Sequence, residues 1–285
     1  MALNRSVETI LISTSSTLFR SIEGNGGNGV HDILQAFSVT SPSTLILKEN
    51  RGGSRLLCSV TNAIEALPAQ LGNTVNSVGV GDVFAATYVS NLSMGKVEAA
   101  WRATYAAAAY SQTTDPNLFR TYVERDGKLS LEDMKGLWGT SLPWERRRTL
   151  QIYLAAPDFL SANRIAIERS LASLNYHNFV VRRPVMENGE LRPGSDGALL
   201  SATYQADYAL LKASSLVFAV PTGRDPGTLV EIGIAIEARM PVVVFDPAGE
   251  NANTMVMAGA YHYSTNLDSC LNAVFRALGE PESSP

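Results

Sequence analysis

Asp225 and Glu231 lie in the stretch Pro221-Thr222-Gly223-Arg224-Asp225-Pro226-Gly227-Thr228-Leu229-Val230-Glu231-Ile232-Gly233, where a turn-rich loop runs into an apolar helical pattern. The spacing sets Asp225 just ahead of a helix and Glu231 in its first turn, so two carboxylates face one crevice. Such a pair suits glycosidic bond chemistry: one carboxylate attacks or stabilises the cationic anomeric carbon while an acid assists the leaving group. Mutual repulsion raises the pKa of one of the two. A plainer reading competes, because Thr228 and Glu231 also fit an S/T-x-x-E capping box, in which Glu231 only satisfies a backbone N–H. On spacing alone the cap is the commoner arrangement. Asp207, between Tyr204 and Tyr208, and Tyr153 on a strand decide nothing singly, since such an Asp is usually solvated and a strand tyrosine is usually core. Their joint placement is what points to a site.

That placement comes from a strict alternation of strands and helices in the second half of the chain. Strands are expected at Gln151–Ala156, Phe179–Arg182, Leu216–Val220 and Val242–Phe245. Helices are expected at Ser161–Leu174, Gly197–Lys212, Thr228–Arg239 and Asn266–Leu278. Continuous apolar strands separated by helices are the signature of a doubly wound α/β parallel sheet covered on both faces. Ligands of such sheets sit beyond the strand C-termini. The Tyr153 strand, the Asp207 helix and the Asp225/Glu231 loop all lead to that rim.

The 285 residues favour two compact units, and 45% hydrophobic with 18% charged residues allows a sizeable core in each. The first unit is expected over 1–114, the second over 150–285, and a docked linker over 115–149 carries Trp138, Trp144 and Arg146-Arg147-Arg148. Three adjacent arginines make either an anion site or a solvated helix face, and the solvated face is the simpler reading. A net charge of −4 gives no general attraction to nucleic acid or anionic lipid. Two cysteines and three scattered histidines offer no metal-ligand spacing. With no apolar stretch of signal or membrane-spanning length, a cytoplasmic protein acting on small molecules is expected.

Ile152-Tyr153-Leu154-Ala155-Ala156-Pro157, Asp207 ahead of Ser214-Ser215-Leu216-Val217-Phe218-Ala219-Val220, and Asp225-Pro226-Gly227-Thr228-Leu229-Val230-Glu231-Ile232-Gly233-Ile234-Ala235 together resemble nucleoside 2-deoxyribosyltransferases over about residues 150–280. The resemblance implies that Glu231 is the nucleophile at C1′ of a 2′-deoxynucleoside, giving a covalent deoxyribosyl-enzyme that a second free nucleobase captures. It implies further that Tyr153 orients Glu231 and that Asp207 and Asp225 contact the base and manage its proton. Pro157, Gly227 and Thr228 would line the substrate site. Asn253, in Asn251-Ala252-Asn253-Thr254-Met255, falls where the family borrows an Asn from a neighbouring subunit, which implies a homo-oligomer; an ordinary loop or cap role is the alternative. No metal or organic cofactor is required.

Asn76-Ser77-Val78-Gly79-Val80-Gly81-Asp82-Val83-Phe84 resembles the second signature of PfkB or ribokinase-like kinases, with Leu45–Gly53 as the preceding strand. Glycine amides at a helix start can form an anion hole, and an Asp there can take the proton of an attacking hydroxyl. The motif arrives at residue 79, whereas such kinases place it late, so Gly79, Gly81 and Asp82 are expected to be a vestigial site in a partial kinase-like unit. Gly24–Gly29 lacks the Lys-Ser/Thr of a P-loop and reads as a turn.

Transfer of 2-deoxyribose between bases is therefore the expected activity. A nucleoside or nucleoside 5′-monophosphate N-glycosidase on the same scaffold is the nearest alternative, although hydrolytic relatives tend to carry Ser where this chain has Asp225. A non-catalytic nucleotide sensor and a residual kinase are the others.

Overall fold

In Leu45-Ile46-Leu47 every residue is apolar and every one is fully buried, as a strand covered on both faces requires. Leu45 and Leu47 pack with Ile12, Phe19 and Ile33, while Ile46 packs on the opposite side with Phe84, Tyr88 and Trp101. The computed structural model describes residues 7–24, 29–37, 40–137, 139–158, 164–191 and 194–281. Most of the Gly24–Gly29 turn and Trp138 lie outside the described residues. The chain divides into residues 1–145 with 279–285, and residues 146–278.

The first unit begins with β1 (Thr9–Ser13), α1 (Thr17–Gly24) and α2 (Val30–Ala36), followed by β2 (Thr44–Lys48), β3 (Ser54–Cys58) and β4 (Ile64–Leu67). The sheet order is β1-β2-β3-β4, with β1 parallel to β2 and the other two pairings antiparallel. Next come α3 (Val80–Ser90), α4 (Lys96–Ser111), α5 (Pro116–Asp126), α6 (Leu131–Gly136), the two-residue strand β5 (Thr140–Ser141) and the short helix α7 (Trp144–Arg147), whose last two residues belong to the second unit. The alanine run of α4 is buried against this sheet's Ile46 face, where small side chains let the helix approach closely. Trp144 is buried and donates its indole N–H to Glu23 Oε1 at 2.6 Å.

The second unit opens with β6 (Gln151–Ala155), α8 (Ile165–Tyr176), β7 (Val180–Arg182), α9 (Pro184–Asn188) and α10 (Gly197–Lys212). It continues with β8 (Leu216–Ala219), α11 (Pro226–Glu237), β9 (Val242–Phe245), α12 (Thr254–Gly259), β10 (His262–Ser264) and α13 (Leu267–Leu278); the chain then returns to the first unit, where β11 (Glu280–Pro281) pairs with β5. All five strands of its sheet are parallel, in the order β10-β9-β8-β6-β7. This is the expected doubly wound sheet, and its order reverses between β6 and β8, the topological switch point at which such folds bind ligands.

Arg147 is not on a solvated face: it is fully buried, its guanidinium stacks 4.9 Å from the Phe275 ring centroid, and Nη1 donates to the His177 carbonyl at 3.4 Å. Its neighbour Arg148 donates Nε–H to Asn178 Oδ1 at 2.9 Å. Three adjacent arginines have identical stems, and the sequence does not say which of them is turned inward, where its stem covers apolar surface and its head reaches a carbonyl. Among the described residues, no helix is long and apolar enough to cross a membrane.

Candidate active site

Tyr153 is the third residue of β6, and its ring is fully buried among Leu211, Val217 and Ile232. A tyrosine in that position needs a partner for its hydroxyl. It finds one in Glu231, whose Oε1 accepts the phenolic O–H at 2.5 Å. The bond joins β6 to α11 on the side of the sheet covered by α10 and α11.

Glu231 is not a helix cap. The α11 N-cap is Asp225, whose Oδ2 accepts from Thr228 N at 2.7 Å and Thr228 Oγ1 at 2.8 Å, with Pro226 at the first helical position. The capping-box reading of Thr228 and Glu231 therefore fails: the helix starts at Pro226, so Thr228 is its third residue with its N–H already taken by Asp225, and Glu231 is its sixth, in the second turn rather than the first. A Cβ on Gly227 would lie 3.2 Å from Asp225 Oδ2, tighter than most such contacts. Thr228 is buried, and so is Pro157 just beyond β6.

The loop that delivers Asp225 is held from the side. Gly223 and Arg224 both take left-handed conformations, at φ 68° and 56°, which is costly for Arg224 and persists only where the surroundings fix it. Asn251, buried, donates Nδ2–H to the Pro221 carbonyl at 2.7 Å; Glu250 Oε2 accepts from Gly223 N at 3.1 Å, and Arg224 Nε donates to the Glu250 carbonyl at 3.0 Å. Asp246, also buried, anchors that segment by accepting from Asn251 N and the Tyr263 hydroxyl, each at 2.7 Å.

Asp207 sits on α10, where its Oδ1 accepts from Asn188 Nδ2 at 2.7 Å. Its negative field reaches both Glu231 and Tyr153. The Glu231 carboxyl is pushed up to about 7, chiefly by burial; the Tyr153 hydrogen bond opposes this, and the charges of Asp207 and Asp225 add to it. Tyr153 is held well above the usual phenol range by burial and by the adjacent carboxylate, so it remains a hydrogen-bond donor. The fold thus brings Tyr153, Asp207, Asp225 and Glu231 into one electrostatic group. Such a group can offer a carboxylate nucleophile and hold a proton near neutral pH.

Residues 152–267 match the family model of nucleoside 2-deoxyribosyltransferases. The matched stretch contains Tyr153, Asp207, Asp225 and Glu231, and it falls within the segment whose residues resemble that family. No curated protein matches the chain. Among solved structures, a 2-deoxyribosyltransferase from the psychrotolerant bacterium Bacillus psychrosaccharolyticus is 22% identical over 46% of this chain and 98% of its own length, at a TM-score of 0.40. A ribokinase from Thermotoga maritima is 23% identical over 43% of this chain and 42% of its own, at 0.36. A fructokinase from Vibrio cholerae O395 is 13% identical over 41% of each chain, at 0.33. The chain therefore spans about two fifths of the length of these kinases.

Asn253 also lies within the nucleoside 2-deoxyribosyltransferase match. It is the exposed N-cap of α12, its Oδ1 accepting from Met255 N at 2.9 Å. In the first unit, Gly79 caps α3 at φ 83°, a conformation that suits glycine, and Gly81 and Asp82 lie in the first turn. Lys48, at the end of β2, donates Nζ–H to the Gly81 carbonyl at 3.4 Å, and a Cβ on Gly81 would come within 3.0 Å of that nitrogen. Burial lowers the Lys48 pKa, and the Asp82 charge works against this. Lys48, Asn188 and Asn251 are the site-related residues that spacing missed. For Asn188 a signal existed, since Asn-Gly after a Pro-initiated turn of helix marks a chain reversal at a strand's carboxyl end.

Proposed function

We propose that the second unit transfers 2-deoxyribose from one nucleobase to another by double displacement through Glu231. The observation that carries this reading is the 2.5 Å Tyr153–Glu231 hydrogen bond at the sheet's switch point, with Asp207 and Asp225 acting electrostatically on the same carboxylate. The family match over residues 152–267 supports it.

In the first step a Glu231 carboxylate oxygen bonds to C1′, the N-glycosidic bond breaks, and its electron pair leaves with the base. The departing nitrogen takes up a proton, for which Asp207 and Asp225 are the nearby carriers. In the second step a ring nitrogen of the acceptor base attacks C1′, loses its proton to the same groups and releases Glu231. Two inversions restore the β configuration. Tyr153 donates to one Glu231 oxygen throughout, which fixes the rotamer of the nucleophile and moderates the rise in its pKa.

Chromatography of deoxyinosine or thymidine incubated with free adenine or cytosine tests this. A new deoxynucleoside formed only when acceptor is present is the expected result, and Glu231→Ala removes it while deoxynucleoside binding persists. Free base released equally with and without acceptor identifies a hydrolase instead.

A further inference from the structure

Asn188 sits where the fold leaves it little freedom. It is the last residue of α9, a single turn that starts at the buried Pro184 and ends at Gly189. Arg182 of β7 grips Glu187 through Nε and Nη2, and Glu187 Oε1 also accepts from Arg183 N at 3.0 Å. The turn is thereby clamped to the strand before it, and its terminal amide reaches Asp207 Oδ1 at 2.7 Å. The Asn188 side chain donates without carrying charge or titrating in the working range, so it fixes one carboxylate oxygen and leaves the other for a ligand.

We propose that Asn188 is the positioning residue of Asp207, holding one of its oxygens so that the other meets the nucleobase as a hydrogen-bond acceptor. This rests on the reading of Glu231 as the deoxyribosyl carrier and extends it to how the base is held. The titratable groups facing Asp207 are Glu231 on α11 and Tyr153 on β6, while Glu187 on α9 is neutralised by Arg182. No other amide donates to Asp207 in the hydrogen bonds of the described residues.

Two variants separate positioning from mere support. Asn188→Ala removes the donor from an exposed position, so the fold and melting temperature are kept; KM for the donor deoxynucleoside is expected to rise about five- to tenfold, with a smaller fall in kcat. Asn188→Asp sets two carboxylates in contact, and such a pair shares a proton. Its acid limb in kcat/KM is expected to move up by more than one pH unit, whereas that of Asn188→Ala moves by less. Unchanged KM in Asn188→Ala, or identical pH profiles in the two variants, overturns the proposal. Calorimetric titration of deoxyinosine and thymidine into wild type and Asn188→Ala supplies a readout that needs no turnover. If wild type binds but does not transfer, the Glu231 reading fails, and a five- to tenfold weaker binding by Asn188→Ala still upholds the Asn188 assignment. Equal binding overturns it, and no binding by either protein overturns both.

Discussion

Tyr153 Oη and Glu231 Oε1 lie 2.5 Å apart, one on a buried strand and the other on the helix that crosses it. The phenol keeps its proton because burial and the neighbouring negative charge both disfavour a phenolate. It therefore donates, and donation stabilises the charged form of Glu231 against the burial that raises its pKa to about 7. The two effects are opposed on one atom, which makes the pair testable by pH.

Tyr153→Phe deletes the donor and keeps the ring in its place. Glu231 is then raised further, so the acid limb of kcat/KM, expected near pH 7 in wild type, moves upward by about half to one unit. At pH 7 the rate falls about two- to fivefold and recovers almost fully at pH 8.5. A uniform loss at every pH would mean that the hydroxyl acts on the substrate rather than on Glu231.

Glu231→Gln tests the same carboxyl through stability. The folded-state pKa lies above the unfolded value, so the stabilising neutral form is fully present below about pH 4.5 and is lost as pH rises through about 7. The isosteric amide is neutral at every pH and still accepts from Tyr153. The variant is therefore expected to match wild type at pH 4 and to exceed it at pH 8 by about 2 to 3 kcal/mol, as one unit in pKa corresponds to about 1.4 kcal/mol. Denaturant melts at the two pH values check this, and a variant less stable than wild type at pH 8 would refute the burial argument.

Asp225 combines two roles that substitutions can separate. Asp225→Asn keeps an oxygen for Thr228 N and removes the charge, so stability changes by only a few tenths of a kcal/mol while the acid limb moves downward, because one of the fields raising Glu231 is gone. Asp225→Ala loses the cap as well and costs about 1 kcal/mol more. If Asp225 only capped the helix, Asp225→Asn would turn over with the wild-type pH profile.

The elements of the second unit were legible because their period is strong: Gly197–Lys212 and Val242–Phe245 fold as read from pattern alone. The strands Ile64–Leu67 and His262–Ser264 were not, being short and only partly buried, so that no alternation develops. At the site, the residue types that do chemistry were visible, but their partners were not. Glu231 fits a cap by spacing, and only the geometry of Asp225 and Thr228 shows that the cap is already filled. Asn188 reaches Asp207 across two elements, a relation that no local window contains.

Arg147 is likewise placed by contacts that its neighbours in sequence do not reveal. Its stem and guanidinium fill apolar space beside Phe275, and its charge meets the ring face and the His177 carbonyl rather than water. Arg147→Ala opens a cavity and removes a donor from a buried carbonyl, which together are expected to cost about 3 kcal/mol. Arg147→Met refills most of the volume without the charge, and should recover roughly half of that loss. Neither change touches Glu231, so KM for the deoxynucleoside should stay within twofold of wild type below the melting transition. If Arg147→Ala melts within a degree of wild type, the guanidinium is not held as the structure has it, and the solvated reading of the three arginines is restored.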